Sequence, residues 1–206
     1  MLIVGLTGGV ASGKSVVSQI LKEEGAYLVD ADRIARELVQ PRRSTCKKLI
    51  KAFGKEILQK DGSIDRRKLA GKIFSDPGQR DLLNRILHPR IKKEMDRQVK
   101  AIGQKDPKAI VVIDAPLLIE TGYHQEMDKV IVVTTTKAQQ MERLKKRAVM
   151  DQEVARRVIA SQVPTEEKVK VADFVIRNEG SLEKTEGRTK RVFRMLKRLA
   201  LHQKEC

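Results

Sequence analysis

Three observations predict an α/β fold with a five-stranded parallel sheet interrupted by a helical insertion. Short apolar runs without polar alternation recur along the chain. Amphipathic segments of helical period separate them. From Arg42 to about Lys105 the apolar runs stop and helical segments follow one another. A strand buried on both faces reads as a continuous apolar run. Strands that alternate with helices build a parallel sheet covered on both sides.

The elements follow in chain order. "LIVGL", Leu2–Leu6, is the first strand. A glycine-framed loop comes next, then "KSVVSQILKEE", a helix that stops at Gly25. "AYLVD" is the second strand. "ADRIARELVQ" has helical period and ends before Pro41, with Asp30 as a candidate cap. "CKKLIKAFG" is a helix closed by Gly54. Asp61 and Gly62 mark a turn, and Asp65 is a good cap for the helix after it. "SDPGQRDLLNRIL" begins at a Ser75 or Asp76 cap, with Pro77 near the first helical position. A separate amphipathic helix, "PRIKKEMDRQVKAI", is expected to start at Pro89. "KAIVVI" is the third strand and closes with Asp114. "KVIVV" is the fourth and runs into Thr134, Thr135 and Thr136. Lys137–Ala148 is a basic helix, and another is expected from about Gln152 to Gln162 with Asp151 as its cap. "ADFVIRN" is the fifth strand. Ser181–His202 is a long amphipathic helix.

Composition narrows the class. A chain of 206 residues makes one domain, with room for inserted subdomains. Hydrophobic residues form 40% and aromatics only 3%, so the core is built from Leu, Ile, Val and Ala. The two cysteines, Cys46 and Cys206, form no CxxC pair, which excludes a disulfide framework and a cysteine zinc site. The N-terminus lacks a basic n-region, and no apolar run approaches the roughly 20 residues that span a bilayer. A cytoplasmic, membrane-free protein is expected. The formal net charge of +16 has two functional readings, a nucleic-acid surface or steering of a small polyphosphate, beside a generally basic surface. No RGG run or aromatic ladder for base stacking accompanies the charge. A nucleic-acid partner is therefore not expected, and the chain is expected to act as a monomer.

Gly8–Ser15 fits G-x-x-x-x-G-K-[ST] in full, between a buried strand and a helix. Glycines let successive N–H groups turn inward around a phosphate, and the helix start adds its positive dipole end. Gly8, Gly9, Val10, Ala11, Ser12, Gly13, Lys14, Ser15 and Val16 are the expected triphosphate cradle. Lys14 reaches the outer phosphates and Ser15 holds Mg²⁺. No guanine-reading N-K-x-D is present. Asp32 lies past the second strand, at the sheet edge where such folds place ligands. There it can take a proton from an attacking hydroxyl, or "DAD" merely caps the next helix. Asp114 is placed to orient Mg²⁺ through water, or to bind backbone amides at a strand end. Arg143 and Arg147, four apart, share a helix face with Lys146 nearby. They can offset charge on a transferring phosphoryl group, or form a solvated basic face. His88, before a proline, is either structural or a substrate contact.

Taken in order, "GLTGGVASGKS", "VDADRIAREL", "GSIDRRKLAGKIF", "LHPRI", "DAPLLIETG" and "ADFVIRNEG" make the chain resemble the dephospho-coenzyme A kinase family over nearly its whole length. The resemblance implies transfer of the ATP γ-phosphoryl group to the ribose 3′-hydroxyl of dephospho-coenzyme A, with Mg²⁺. It implies a P-loop kinase core at roughly 1–41, 106–136 and 166–206, a helical substrate-binding subdomain at roughly 42–105 and a helical lid at roughly 137–165. Asp32 matches the base and Arg143 the lid arginine. Arg143 and Arg147 join the ATP contacts. Arg66, His88, Pro116 and Leu117 join Asp32 as substrate contacts. A kinase for another small hydroxyl acceptor, and a nucleic-acid-binding protein or regulatory NTPase, are the alternatives.

Overall fold

The computed structural model describes residues 1–148, 156, 159–160 and 162–202, without the side chains of Phe74, Ser75, Arg147, Ala148 and His202. Five strands form one sheet: β1 (Leu2–Gly8), β2 (Tyr27–Asp30), β3 (Ile110–Asp114), β4 (Lys129–Thr134) and β5 (Phe174–Arg177). Their order is β2-β3-β1-β4-β5. β1 runs parallel to β3, with Leu2 opposite Ile110, and parallel to β4, with Val4 opposite Lys129. β4 and β5 are parallel as well. The unbroken apolar runs belong to the three inner strands, where both faces need covering. Edge strand β5 buries Ile176 and exposes Val175.

The helices are α1 (Lys14–Glu23), α2 (Ala31–Leu38), α3 (Ser44–Phe53), α4 (Arg66–Ser75), α5 (Pro77–Lys105), α6 (Lys137–Ala148), α7 (Thr165–Lys170) and α8 (Leu182–His202). The chain divides into two compact units, Met1–Val29 with Ala101–Cys206, and Asp30–Lys100. In the first unit, Val17 and Leu21 of α1 and Val192, Phe193 and Leu196 of α8 pack with Leu2, Val4, Leu6, Val112, Ile131 and Val133. The core is aliphatic with one central ring, Phe193. Truncating that ring to Ala would cost about 3–5 kcal/mol.

The second unit has its own apolar cluster of Cys46, Leu49, Phe53, Ile57, Ile64 and Leu83. Cys46 is a free thiol that packs as a small apolar group there. Between Leu58 and Ile64 the chain reverses through a tight turn. Gly62 takes φ 79° there, and the Asp61 carboxylate accepts from Ser63 N at 2.9 Å and Ser63 Oγ at 2.6 Å. Asp65 caps α4, accepting from Arg67 N at 2.9 Å and Lys68 N at 3.2 Å. Asp76 does the same at the start of α5, accepting from Gly78 N at 2.8 Å.

Two features differ from the sequence expectation, and a third lies beyond comparison. Pro89 does not start a new helix, because α5 passes through it. A proline inside a helix deletes one N–H and crowds the preceding turn. Here Arg90 Nη1 donates to the Ile86 carbonyl at 2.5 Å, so a carbonyl in that turn gains a partner. α7 was not expected, since "TEEKVK" is short and mostly charged. The helix expected from about Gln152, with its Asp151 cap, falls largely outside the described residues.

Candidate active site

The glycine loop joins β1 to α1. Ser12 N donates to the Gly9 carbonyl at 3.0 Å, and Val16 N to the Gly13 carbonyl at 3.0 Å, which starts the helix. Gly13 caps it in the left-handed region, with φ 90°. A Cβ at Gly13 would also lie 1.9 Å from Asn178 Nδ2, so the glycine is required twice over. Lys14 Nζ donates to the Asp114 carboxylate at the end of β3. The Ser15 side chain is exposed at the first turn of α1. The two Mg²⁺ candidates and the loop lysine therefore lie at the carboxyl ends of adjacent strands β1 and β3.

Side chains remote in sequence hold the loop through its backbone groups. Arg143 Nη1 donates to the carbonyls of Ala11 and Ser12, each at 3.1 Å, and Nη2 to the Asn178 carbonyl at 3.1 Å. Asn178 Nδ2 donates to the Ser12 carbonyl at 2.8 Å, and its Oδ1 accepts from Thr185 Oγ1 at 2.9 Å. Gln140 Nε2 donates to the Val10 carbonyl at 3.0 Å, and Val10 N donates to Gln162 Oε1 at 2.7 Å. Lys146, by contrast, is exposed and pairs with Glu142 at 2.7 Å one turn away, as on an ordinary solvated helix face. Arg147 lies on α6 with its side chain outside the described residues.

The segment after β3 is tied to the end of β1. Ala115 N donates to the Leu6 carbonyl at 3.0 Å, and Thr7 Oγ1 to the Pro116 carbonyl at 3.1 Å. Leu117 is left 43% exposed, an apolar side chain offered to a ligand or to water. Further on, Glu120 accepts from Lys168 Nζ at 2.6 Å, and Lys168 is completely buried.

In the helical unit the two readings of "DAD" separate. Asp30 caps α2, its Oδ1 accepting from Arg33 N at 2.9 Å. Asp32, in the first turn, is exposed and is not needed for the cap. It lines a cleft of about 370 Å³ with Arg36, Leu49, Arg66, Leu69 and Leu87. That cleft shares Arg36, Val39, Ile64 and Arg66 with a neighbour of about 970 Å³, which adds Lys60, Arg67 and Lys68. The lining is apolar at Leu49, Leu69 and Leu87 and strongly cationic beyond. Asp32 and Arg66 thus share one cleft, whereas Leu87 rather than His88 forms its α5 wall. His88 is half-buried, and that burial pushes its imidazole below the ordinary histidine pKa.

Sequence reasoning missed Gln140, Gln162, Asn178, Arg36, Glu120 and Lys168. The Glu of "DAPLLIETG" and the Asn of "ADFVIRNEG" lay inside quoted motifs, which was the available signal. Gln140 and Gln162 carried none.

Residues 2–184 match the family model described as CoaE: Dephospho-CoA kinase. A dephospho-CoA kinase of Corynebacterium glutamicum is 43% identical over 192 residues, 93% of this chain and 98% of the relative. One from Bacillus cereus is 45% identical over 184 residues, 89% and 92% of the two chains. The solved structure of dephospho-CoA kinase from Campylobacter jejuni superposes with a TM-score of 0.64 at 26% identity, covering 94% of this chain and 96% of its own. No helix among the described residues is long and apolar enough to cross a membrane.

Proposed function

Because the chain belongs to the dephospho-CoA kinase family, we propose that it moves the γ-phosphoryl group of ATP to the ribose 3′-hydroxyl of dephospho-coenzyme A. The products are coenzyme A and ADP, and the step is the last in coenzyme A synthesis. The observation that carries this reading is the extent of the match, residues 2–184, which takes in the glycine loop, the Asp32 cleft and the segment after β3 alike.

The loop amides from Gly8 to Val16 and the Lys14 ammonium bind the triphosphate at the positive end of α1. Lys14 leaves Asp114 for the outer phosphates as they arrive. Ser15 Oγ, and Asp114 through water, would hold Mg²⁺, which supplies neutralisation of phosphate charge when bound. Both donors are oxygens, the ligand type Mg²⁺ takes. Among the described residues no group of three His, Cys, Asp or Glu is assembled, which fits an ion held mainly by phosphate and water.

Asp32 orients the 3′-hydroxyl and takes its proton as that oxygen bonds to the γ-phosphorus, while ADP departs with the electrons of the broken P–O bond. Arg143 and Arg147 offset the charge that develops on the moving group. Arg66, His88, Pro116 and Leu117 hold the acceptor. The cationic stretch around Arg36, Arg66 and Lys68 suits its diphosphate, and the leucine wall its apolar atoms. In this reading residues roughly 42–105 form the acceptor subdomain and roughly 137–165 a lid that excludes water. The enzyme works as a cytoplasmic monomer, and its basic surface serves polyphosphates rather than nucleic acid.

An ADP-release assay across a panel of acceptors tests the proposal. Rapid turnover is expected with dephospho-coenzyme A alone, with coenzyme A as product. Fast ATP hydrolysis without an acceptor, or equal use of nucleoside monophosphates, would overturn it.

A further inference from the structure

Val10 is gripped at both ends of its own backbone, by side chains 130 and 152 residues away in sequence. Gln140 is 96% buried on α6, and its carboxamide N–H meets the Val10 carbonyl; it has 4% exposure left. Gln162, just before α7, offers the opposite end of the same functional group, its carboxamide oxygen, to the Val10 N–H. Gly9 makes the grip possible. Its φ is not in the left-handed region, so no backbone requirement explains the glycine. A Cβ at Gly9 would lie 2.6 Å from Gln140 Nε2 and would displace that carboxamide. Gly9, Gln140, Gln162 and Thr165 line one cleft of about 400 Å³.

We propose that Gln140 and Gln162 are positioning residues for the ATP-binding loop, acting through the Val10 peptide groups, with Gly9 as the gap that admits Gln140. The Val10 carbonyl and the Ala11 N–H belong to one planar trans peptide and point opposite ways. Fixing the carbonyl therefore also fixes the direction of the Ala11 N–H. Ala11 itself sits at φ 56°, a conformation a non-glycine residue keeps only when its surroundings impose it. Gln140 and Arg143, on carbonyls 10 and 11, impose it from both sides of that residue. A loop held in its binding geometry before ATP arrives avoids the ordering cost on binding. Because Gln140 lies in the first lid helix and Gln162 near the end of the lid segment, the grip also makes loop geometry depend on both ends of the lid.

The inference rests on the ATP-kinase reading, and the test keeps the two apart. MgATP is titrated, without acceptor, into the wild type, Gly9→Ala, Gln140→Ala, Gln162→Met and the double variant Gly9→Ala/Gln140→Ala. Steady-state constants and melting temperatures are measured on the same proteins. Each single variant is expected to bind ATP about five- to tenfold more weakly, the size of one lost hydrogen bond. KM for ATP should rise by the same factor and KM for the acceptor should not move. The double variant should be no weaker than Gln140→Ala alone, because Gly9→Ala acts by displacing Gln140. Additive losses, unchanged ATP affinity, or equal rises in both KM values would overturn the inference. Should Gln140→Ala not fold, Gln140→Met keeps the volume, removes the donor and is read the same way. A wild type that fails to bind MgATP would instead overturn the kinase reading.

Discussion

Lys14 and Lys168 each bind a carboxylate on the same stretch of chain, Asp114 at its start and Glu120 six residues later. The pairs share their chemistry and differ in which partner is the more buried, Asp114 in the first and Lys168 in the second. The Lys14 side chain keeps 17% of its exposure, beside a loop built for anions, so phosphate or water can replace its partner. Lys168 keeps none, and nothing can replace Glu120. An ammonium removed from water is tolerable only while its partner stays. The first lysine therefore rests on a carboxylate it can exchange, as the proposed phosphate-binding role requires, and the second is a fastener that holds α7 to the segment after β3. Residue type and partner do not tell these roles apart; access does.

The comparison can be pressed at several points. Asp32→Asn carries it to a charge that has neither burial nor a cap to make. Turnover is expected to fall by roughly 10²–10⁴-fold, with the melting temperature held, since Asp30 keeps the cap. Early melting with near-normal turnover would return Asp32 to a structural role. Lys14→Ala should lower turnover by about 10²–10³-fold and weaken ATP binding, with some loss of melting temperature because the Asp114 side chain, 8% exposed, loses that cation. Denaturant titrations of Glu120→Ala should show the reverse pattern, a loss of about 3–5 kcal/mol, because the buried ammonium is left alone. Lys168→Met removes the buried charge itself and should cost less, and Lys168→Met with Glu120→Leu should recover most of the loss. If Glu120→Ala melts like the wild type, the two lysines are not different in kind.

The smallest effect is a pH dependence at His88. Its pKa is lowered by burial, so on acidification the unfolded chain takes the proton first. The stability contributed by the neutral ring is whole above the unfolded value near 6.5 and is lost as pH falls toward the folded value. The ring is only half-buried, which keeps this contribution small. Melting at pH 7.5 and 5.5 should show a slightly steeper acid loss for the wild type than for His88→Gln.

Local features were legible. β1, β3 and β4 announced themselves as unbroken apolar runs. Asp30 and Asp65 announced helix starts, and Asp61 with Gly62 a turn, because each of these structures is decided within four or five residues. The glycine loop was legible for the same reason. Pro89 misled, since a proline reports a missing N–H but not whether the helix around it carries on regardless, as α5 does. Lys168 sits in "TEEKVK", which reads as solvated, and only tertiary packing buries it. Gln140 and Gln162 gave no local signal because their partner, Val10, lies far away in the chain. The same distance hid the reason for Gly9, an unconstrained position of its motif whose missing Cβ makes room for another residue's side chain.

The place of β1 in the sheet has a consequence for the order of synthesis. β1 is made before every other strand of the sheet, it is the central one, and its neighbours are β3, from Ile110, and β4, from Lys129. More than half the chain must emerge before either edge of β1 can be covered. Closing loops of that length before any sheet contact forms is slow. The helical unit, Asp30–Lys100, has its own apolar cluster and lies wholly within that interval. During translation it can condense while "LIVGL", among the most apolar segments of the molecule, still waits unpaired. Newborn chains are thus most open to aggregation and to chaperone capture at β1, the strand that later carries the nucleotide loop.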